Sequence, residues 1–284
     1  MKLKSLLLLP LLGIASAADI RLVAWNLEWF PGHSPTAEAS AVDAHKKAAA
    51  EVIQREKPDI FIGEEVRNWQ VFADLAAVTP DLRAVVVSSF RSETDGTLWP
   101  QQVGIASKLP VEAAWSEAWQ QTIGVPRGFS FAAVNLPAPE TGVLLIYGVH
   151  LKSNRGSSDD HAAAANSRMR EESAAQLLQH VSLMERLAFK GRIRGIVIAG
   201  DFNTNQDGQF GDKTLEILTK GGFHNTWEDV AKKDRLSWHG SSQFEPTTFD
   251  YILTKGLPPG SAKLIEVPEA ASDHSPVTIT LSFP

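Results

Sequence analysis

The sequence predicts an α/β fold in which mixed or antiparallel β-sheets are covered by helices. Short β-rich runs recur along the chain, and several are continuously apolar, which is typical of strands buried on both faces. Helical stretches separate some of these runs, whereas other runs follow one another after short turns. Because strand–helix–strand units and hairpins both occur, we expect parallel and antiparallel neighbours in the same sheets.

The chain begins with a segment that has the features of a secretory signal peptide. Two lysines precede an apolar run from Leu6 to Ile14, which is too short to span a bilayer, and Ala15-Ser16-Ala17 supplies a small-x-small cleavage site. A buried N-terminal helix is the alternative, but no cap or apolar pattern supports it. We therefore predict a signal peptide at residues 1–17, a mature domain at residues 18–284, and export to the periplasm or secretion.

The strand predictions rest on short runs of aliphatic, β-branched and aromatic residues that are bounded by turn-forming residues. Successive runs joined by short turns, as in Val103 to Val111 and Phe129 to Val149, predict hairpins. The predicted strands are Ile20 to Trp25, Ile60 to Gly63, Ala84 to Ser88, Val103 to Ser107, Phe129 to Val134, Val143 to Val149, Gly195 to Ala199, Phe249 to Leu253 and Val277 to Leu281.

Longer stretches between these runs have helical character. Thr36 to Glu56 is rich in alanine and is followed by Pro58, which ends a helix, and Asn68 to Val78 is a shorter candidate. The longest candidate extends from Asp160 to Lys190, where apolar residues recur at helical spacing and Gly191 supplies the stop. No repeat, low-complexity tract or linker interrupts the chain, which favours a single domain.

Composition limits the chemistry that the chain can perform. Of its 284 residues, 43% are hydrophobic, enough for a substantial core, and none is cysteine. Any metal must therefore be bound by oxygen atoms and imidazoles. The formal net charge of −6 argues against strong electrostatic capture of a long polyanion, although a small basic patch and bound cations can still hold one phosphate. No later stretch is apolar enough to span a bilayer, so we expect no stable membrane anchor.

Acidic, amide and imidazole side chains lie within or just after several predicted strands. Asp201 and Asn203 could be ordinary turn formers, Asp273 could shape a turn, and His150 could be a satisfied core histidine. Asp250 is harder to explain in this way, because an acid inside a buried strand is costly unless it is paired or binds a cation. The segments are Trp25-Asn26-Leu27-Glu28, Gly63-Glu64-Glu65-Val66, Gly148-Val149-His150-Leu151-Lys152, Gly200-Asp201-Phe202-Asn203, Thr248-Phe249-Asp250-Tyr251-Ile252 and Ser272-Asp273-His274-Ser275-Pro276.

Taken together, these segments indicate a metal-assisted hydrolase. Several oxygen ligands that converge at strand ends suit a hard cation such as Mg²⁺ or Mn²⁺. Imidazoles beside carboxylates supply proton transfer and charge stabilisation at a phosphoryl group. The combination predicts the hydrolysis of a phosphoester.

The order of the motifs and their amino-acid sequences resemble those of the endonuclease/exonuclease/phosphatase superfamily. This superfamily includes pancreatic deoxyribonuclease, exonuclease III, neutral sphingomyelinases and inositol polyphosphate 5-phosphatases. The resemblance extends from Asn26 to His274, and the combination of Gly-Asp-Phe-Asn with a near-terminal Ser-Asp-His is highly specific for the superfamily. It implies a four-layer sandwich of two mixed β-sheets flanked by helices, and an enzyme that uses Mg²⁺ or Mn²⁺.

The resemblance also implies roles for the residues that would hold the metal, the water and the phosphate. Asn26 and Glu65, together with Asp273, match the metal ligands. Asp201 matches the carboxylate that orients or deprotonates the attacking water, and Asn203 matches the amide that holds the scissile phosphate.

Two histidines match those that lie beside the phosphate in the superfamily. His274 is implied to contact the phosphate, with Asp250 as the partner that orients and charges it, and His150 matches the second histidine. Pancreatic-type nucleases pair that second histidine with an upstream Glu, where this chain has Gln101-Gln102. A Gln can orient an imidazole but cannot stabilise its cation as a carboxylate does, so His150 is expected to be a weaker acid catalyst.

A polar loop with two cations, Lys152 to Ser158, follows the His150 strand. It could bind flanking phosphates, with Arg168 or Arg170 of the next helix adding to it, or it could be a solvated loop that happens to be basic. The predicted substrate-binding residues are Lys152, Asn154 and Arg155.

The sequence leaves several substrates open. The absence of a long hydrophobic hairpin favours a nuclease or phosphodiesterase acting on nucleic acid, whereas the acidic charge balance favours a sphingomyelinase-like enzyme or an inositol or small-molecule phosphatase. A non-catalytic binding protein of the same fold is the remaining alternative, but such a protein would be expected to lack one of the motif residues, and all of them are present. We predict no protein partner.

Overall fold

Two six-stranded sheets form the β-structure of the computed structural model, which describes residues 19–120, 127–155 and 159–283. The predicted signal peptide at residues 1–17 lies outside the described residues. The strands of the first sheet are β1 (Ile20–Phe30), β2 (Ile60–Val66), β3 (Arg83–Val87), β4 (Gln102–Ser107), β11 (Lys263–Leu264) and β12 (Val277–Leu281). They lie in the order β11-β12-β1-β2-β4-β3, and only β1 and β2 are parallel neighbours within the described part of this sheet.

The second sheet has the same mixed character. Its strands are β5 (Val111–Ala118), β6 (Gly128–Asn135), β7 (Val143–His150), β8 (Ile193–Asp201), β9 (His224–Asn225) and β10 (Asp250–Lys255). They lie in the order β5-β6-β7-β8-β10-β9, with β7 and β8 parallel and the other neighbours antiparallel. Each sheet therefore has one pair of adjacent strands whose carboxyl ends lie at the same edge.

Helices flank the two sheets. They are α1 (Ala39–Glu56), α2 (Trp69–Ala76), α3 (Asp160–Leu183) and α4 (Thr214–Lys220), with a π-helical turn at Met184–Ala188 and a 3₁₀ turn at Lys232–Asp234. The three predicted helices overlap α1, α2 and α3, whereas α4 is too short to give a clear sequence period. No helix of the described residues is both long and apolar enough to cross a membrane.

The alternation of side chains along β2 explains the layering. Ile60 and Ile62 join the apolar cluster between the two sheets, where they lie with Ile146 and Val197 of the second sheet. Phe61 points to the other face and packs in the cluster that contains Val52 and Ile53 of α1 and Phe72 of α2. Residues of α3, including Ala174 and Leu177, belong to the cluster of the second sheet. The predicted fold, two mixed sheets flanked by helices, is confirmed.

The longest of the strands that the sequence did not predict, β5, lies at the edge of its sheet. Its eight residues, Val-Glu-Ala-Ala-Trp-Ser-Glu-Ala, are mostly half-buried and form no continuous apolar run. An edge strand of this kind carries little of the hydrophobic signal that reveals a buried strand. The two-residue strands β9 and β11 are too short to leave a period at all.

A buried histidine of α1 predicts a loss of stability in acid. His45 is 1% exposed, accepts a hydrogen bond from the backbone N–H of Gly32 at 2.9 Å and donates one to the carbonyl of Ala271 at 3.0 Å. Burial, together with the charge of the stacked His33, lowers the pKa of His45 to about 4 from 6.5. The folded chain therefore resists protonation that the unfolded chain accepts.

The free energy of unfolding should fall as the pH drops from 6.5 to about 4, with His45 contributing up to about 3 kcal/mol of that loss. Chemical denaturation of the wild type and of His45→Phe across this range measures the contribution, because the variant lacks the titrating group. The exposed His161→Phe variant is the control, and it should retain the wild-type pH dependence. A stability difference between wild type and His45→Phe that is the same at pH 7 and pH 4.5 would contradict the prediction.

Candidate active site

Polar side chains of both sheets meet where the parallel strand pairs β1–β2 and β7–β8 end. Asn26, near the end of β1, is 1% exposed, and its Nδ2 atom donates to Asp201 Oδ2 at 3.0 Å and, more weakly, to Glu65 Oε1 at 3.4 Å. The contact with Asp201 joins the first sheet to the second, because Asp201 ends β8. One amide therefore holds two carboxylates together at the mouth between the sheets.

Two consecutive acids of β2 are directed toward this mouth. The parallel register pairs Glu64 with Asn26, which places their side chains on the same face. Glu65 should point to the opposite face, but its φ of 58° lies in the left-handed region and interrupts the alternation. Its carboxylate accepts a hydrogen bond from the backbone N–H of Trp29 at 2.9 Å, so the irregular ends of β1 and β2 fix one another.

Glu64 differs from Glu65 in its surroundings. It is fully buried, and neither carboxyl oxygen has a hydrogen-bond partner among the described residues. Burial, the charge of Asp250 and the charge of Asp201 raise its pKa well above the ordinary value. An added Cβ at Gly200 would overlap the backbone oxygen of Val149 and lie 2.8 Å from Glu64 Oε1, so the glycine required by the adjacent strand also leaves room for this carboxyl.

His274 and Asp250 form the most tightly bonded pair of the group. His274 Nδ1 lies 2.7 Å from Asp250 Oδ2, which also accepts the hydroxyl of Ser237 at 2.6 Å. Burial alone would lower the pKa of His274, but the charge and hydrogen bond of Asp250 outweigh it and raise the pKa well above the ordinary value. The imidazole is therefore held as a cation, and the acid inside the buried strand β10 has the partner that its position requires.

His150 has the opposite electrostatic environment. Its Nε2 atom lies 3.5 Å from Asp201 Oδ2 and 3.7 Å from Glu65 Oε1, while Nδ1 has no hydrogen-bond partner among the described residues. Burial, followed by the charges of Arg127 and His274, lowers its pKa well below the ordinary value. The two histidines thus differ in charge, with His274 cationic and His150 neutral.

Gln101 and Gln102, which lie upstream of His150 in the sequence, make their hydrogen bonds to other residues. Gln101 Oε1 accepts a hydrogen bond from Arg127 at 3.1 Å, and Gln102 Oε1 accepts from the hydroxyl of Ser88 at 2.6 Å. The described contacts of both glutamines therefore give His150 no orienting partner, which agrees with its unpaired Nδ1 atom. Gln101 instead positions an arginine.

Arg127 is a site residue that sequence reasoning missed. Its guanidinium is buried, donates to the carbonyl of Leu151 at 2.5 Å as well as to Gln101, and leaves Nε unpaired within the described structure. Burial lowers its pKa, although the nearby charges of Glu65 and Asp201 oppose that effect. The signal that could have revealed it is the hairpin register, because Arg127 directly precedes β6, which begins where the antiparallel β7 ends.

Asp201 and Asn203 are fixed by the turn that follows β8. The backbone N–H of Asn203 donates to Asp201 Oδ1 at 2.8 Å, and Asn203 has a φ of 51°. Its side-chain Nδ2 donates to the carbonyl of Leu151 at 3.3 Å, the same carbonyl that Arg127 contacts. Burial and the charge of Asp250 raise the pKa of Asp201 to about 7. A carboxylate with such a pKa is a stronger base than an exposed aspartate.

The loop after β7 contributes less free charge than its sequence suggested. Lys152 Nζ donates to the carbonyl of Ser153 at 2.9 Å, so the ammonium turns back on its own loop, and burial lowers its pKa to about 8. Arg170 is 1% exposed and bonds to protein atoms, which argues against a direct phosphate contact. Arg155 is exposed, whereas the end of the predicted loop at residues 156–158 lies outside the described structure.

Asp273 lies at the rim of the group. Its Oδ1 atom is 3.9 Å from His274 Nε2, Oδ2 accepts from the indole of Trp238 at 3.0 Å, and its side chain is 32% exposed. Its backbone N–H donates to Glu28 Oε2 at 3.0 Å. Asp273 therefore joins the site through His274.

The charges and donor atoms of the site fit a hard divalent cation. The buried acids Glu64, Glu65, Asp201 and Asp250 outnumber the buried cations that face them, and Glu64 leaves both oxygens unpaired. Within the described ranges, no three His, Cys, Asp or Glu side chains are grouped as the ligands of one ion. Carboxylate and amide oxygens are the donors that Mg²⁺ and Mn²⁺ prefer.

Comparison with known proteins agrees with the motifs and the fold. A model of the Endonuclease/Exonuclease/phosphatase family matches residues 23–274. The search of curated protein sequences found no significant match. Among solved structures, an endonuclease/exonuclease/phosphatase from Bacteroides vulgatus superposes with a TM-score of 0.68 at 17% identity, covering 94% of this chain and 100% of that one.

Two further solved structures with this fold belong to proteins that carry specific names. Truncated Caenorhabditis elegans TDP2 gives a TM-score of 0.65 at 14% identity, covering 93% of this chain and 97% of that chain. A mannosyl-6-phosphatase from Bacteroides thetaiotaomicron gives 0.65 at 17% identity, with 93% of this chain and 100% of that chain covered. At such identities the likeness establishes the shared fold.

Proposed function

Because this chain belongs to the endonuclease/exonuclease/phosphatase family, we propose that it is a divalent-metal-dependent phosphoester hydrolase in which activated water attacks phosphorus. The observation that carries the proposal is the convergence of a buried carboxylate of raised pKa, Asp201, with the charged pair His274–Asp250 and the amide of Asn203. In the transfer of a phosphoryl group to water, a base accepts the proton of the water, and a fixed cation and a hydrogen-bond donor stabilise the charge on the phosphoryl oxygens.

Each residue of the site has a separate role in the proposed reaction. Asp201 accepts the proton of the attacking water, since its pKa near 7 makes it basic at neutral pH. The cationic imidazole of His274 stabilises the negative charge that develops on the phosphoryl oxygens, and Asp250 keeps that imidazole protonated. Asn203 binds a phosphate oxygen through its side-chain amide, and Arg127 lends fixed positive charge beneath it.

The metal would be held by Asn26 and Glu65, with Asp273 as a third ligand. When bound, a divalent cation neutralises charge on the phosphoryl group and makes a water molecule more acidic. Asn26 and Glu65 contact one another, and Asp273 Oδ1 lies 3.9 Å from His274 Nε2.

The substrate is first proposed to be a nucleic acid or another phosphodiester. A small phosphoester is the second candidate, and the scarcity of free cations at the site favours it. Lys152 and Arg170 bond to protein atoms, whereas Arg127 in the interior and Arg155 and Arg168 at the surface are available to contact phosphate. A nuclease that binds a long polyanion generally contacts several phosphates with lysine and arginine.

A substrate panel separates these two candidates. Supercoiled plasmid, single-stranded RNA, bis(p-nitrophenyl) phosphate, p-nitrophenyl phosphate and hexose 6-phosphates are incubated with the chain from Ala18 in Mg²⁺ and in EDTA. Metal-dependent nicking of the plasmid supports a nuclease, whereas release of phosphate from the monoesters alone supports a small-molecule phosphatase. Hydrolysis of none of them, with sphingomyelin and phosphoinositides also inert, would refute the hydrolase.

Export to the periplasm or secretion remains part of the proposal. Its support is the N-terminal sequence alone, in which an apolar run is followed by a small-x-small site. Mass spectrometry of the mature protein from the periplasm or the medium would test cleavage after Ala17.

Removal of the metal is expected to abolish hydrolysis, and a subsaturating metal concentration is expected to change the pH dependence of the rate. The base must be deprotonated, so the rate falls as the pH drops through the pKa of Asp201, which is about 7 without metal. A cation bound beside Asp201 favours the charged carboxylate and lowers that pKa. We therefore expect the acidic limb of the pH–rate profile to move to lower pH as Mg²⁺ is raised. Full activity in EDTA, or an acidic limb that is independent of Mg²⁺ below saturation, would contradict metal binding at this carboxylate cluster.

A further inference from the structure

A closed ring of hydrogen bonds passes through the backbone of Asn203 and Thr204. Arg170 of α3 donates from NH2 to Asp212 Oδ2 at 2.6 Å and from NH1 to Asn154 Oδ1 at 3.0 Å. Asn154 Nδ2 in turn donates to the carbonyl of Asn203 at 2.8 Å. The hydroxyl of Thr204, the next residue, donates to Asp212 Oδ2 at 2.8 Å and completes the ring.

The ring is buried and charged, which makes it unusual for a surface loop. Arg170 and Thr204 are 1% and 2% exposed, and the side chain of Asp212 is fully buried. Burial would raise the pKa of Asp212, but Arg170 and the hydrogen bonds outweigh that effect and lower it. A buried ion pair with these extra hydrogen bonds is rigid, because breaking any member leaves an unpaired charge or polar group.

The ring joins three segments that the chain separates widely. Arg170 also donates to the carbonyl of Lys152 at 3.0 Å, so it fixes the loop after β7 as well as the turn after β8. Asn203 holds a left-handed φ of 51°, a conformation that non-glycine residues adopt at a cost unless the surroundings enforce it. The hydrogen bond from Asn154 to its carbonyl and the hydrogen bond from Thr204 to Asp212 fix the peptide that follows this residue.

We propose that the ring formed by Arg170, Asp212, Asn154 and Thr204 is a positioning device that holds the Asn203 amide for phosphate binding. Asn154 is accordingly a positioning residue, whereas the sequence placed it among the substrate contacts. The inference rests on the proposed function, because it assigns a purpose to the placement of Asn203 in that reaction. A misplacement of about 1 Å at a group that binds the reacting phosphate reduces turnover by about a hundredfold.

The test uses substitutions that each remove one hydrogen bond of the ring. Asn154→Asp retains the oxygen that accepts from Arg170 but loses the amide that donates to Asn203. Thr204→Val removes the hydroxyl that reaches Asp212, and Thr204→Ser restores it. Asn135→Asp, at the opposite end of β6, is the matched control for an amide-to-acid change.

Kinetics are measured with bis(p-nitrophenyl) phosphate in saturating Mg²⁺. Asn154→Asp and Thr204→Val should each lower kcat by about tenfold or more, while Thr204→Ser and Asn135→Asp stay within about twofold of wild type. In an Asn203→Ala background, Asn154→Asp should change kcat by less than about twofold, because the group that it positions is already absent. Full additivity of Asn154→Asp and Asn203→Ala would overturn the proposal.

Amide hydrogen exchange of the peptide that contains Asn203 and Thr204 provides a readout that needs no substrate. Asn154→Asp should speed exchange in this peptide at least about threefold, without a change in the peptides of β1. Unchanged exchange would overturn the ring as a positioning device, whatever the kinetics give. If wild type hydrolyses nothing in the panel while exchange rises as expected, the proposed function fails and the mechanical coupling of Asn154 to Asn203 stands.

Discussion

Asp201→Asn is expected to reduce hydrolysis about 10³-fold and, in the absence of metal, to make the protein more stable. The loss of activity follows because the amide cannot accept the proton of the attacking water, a function worth about 10²–10⁴-fold in rate. The gain in stability follows from burial and the charge of Asp250, which raise the pKa of Asp201 from 3.8 to about 7. Above that pH the buried carboxyl of Asp201 is charged in the folded state, and burial and the charge of Asp250 make this charged form destabilising.

The magnitudes decide the sign of the stability change. A rise of this size in the pKa corresponds to a destabilisation of up to about 4 kcal/mol at pH 8. The variant amide loses one of the two hydrogen bonds, from Asn26 or from the backbone of Asn203, at a cost of about 1 kcal/mol. The neutral variant is therefore expected to unfold at a higher temperature than wild type in EDTA at pH 8.

Thermal melts and initial rates of the same preparations test both halves of this prediction. The exposed Asp229→Asn variant is the control, and it should change neither quantity. The stability gain should shrink as the pH falls toward 4, because Asp201 of the wild type then becomes protonated as well. A variant that retains near wild-type turnover would remove Asp201 from its proposed role, and a lower melting temperature at pH 8 would mean that the carboxylate is not held at a raised pKa.

The sequence predicted the architecture well because the apolar runs are long where strands are buried. The strand β2 is buried along its whole length, and its core residues were visible as the run Ile60 to Gly63. Its last residues, Glu64 to Val66, were not assigned to the strand, because two acids end the apolar pattern. Tertiary packing extends the strand into the site in spite of that polarity.

The sequence predicted the site through motifs and could not predict its electrostatics. His150 and His274 are both histidines beside acids, yet one is held neutral and the other charged, because only His274 has a carboxylate on Nδ1. Arg127 escaped notice because it stands alone in sequence and is brought to the site by the register of β6 and β7. Glu64 was named beside Glu65 but was given no role, because an acid at that position in the sequence resembles an ordinary surface residue, and only the fold buries it opposite Asn26.

Asp250→Asn is expected to move the whole pH–rate profile to lower pH and to reduce the rate at pH 7.5 about 10²–10³-fold. Asp250 raises the pKa of His274 and also that of Asp201, so its removal lowers both. The alkaline limb moves because His274 loses its proton at lower pH once burial is opposed only by the charges of Asp201 and Asp273. The acidic limb moves because Asp201 no longer faces a neighbouring negative charge.

His274→Gln should give a similar loss at pH 7.5 but should abolish the alkaline limb, because the group that titrates there is absent. Since Asp250 acts through His274 on that limb, Asp250→Asn combined with His274→Gln should be little worse than His274→Gln alone. Initial rates from pH 5 to 9.5 in saturating Mg²⁺ measure both limbs. Parallel profiles for wild type and Asp250→Asn would mean that Asp250 orients His274 without setting its charge. Losses that add fully in the double variant would mean that the two residues act apart, in spite of the 2.7 Å that separates them.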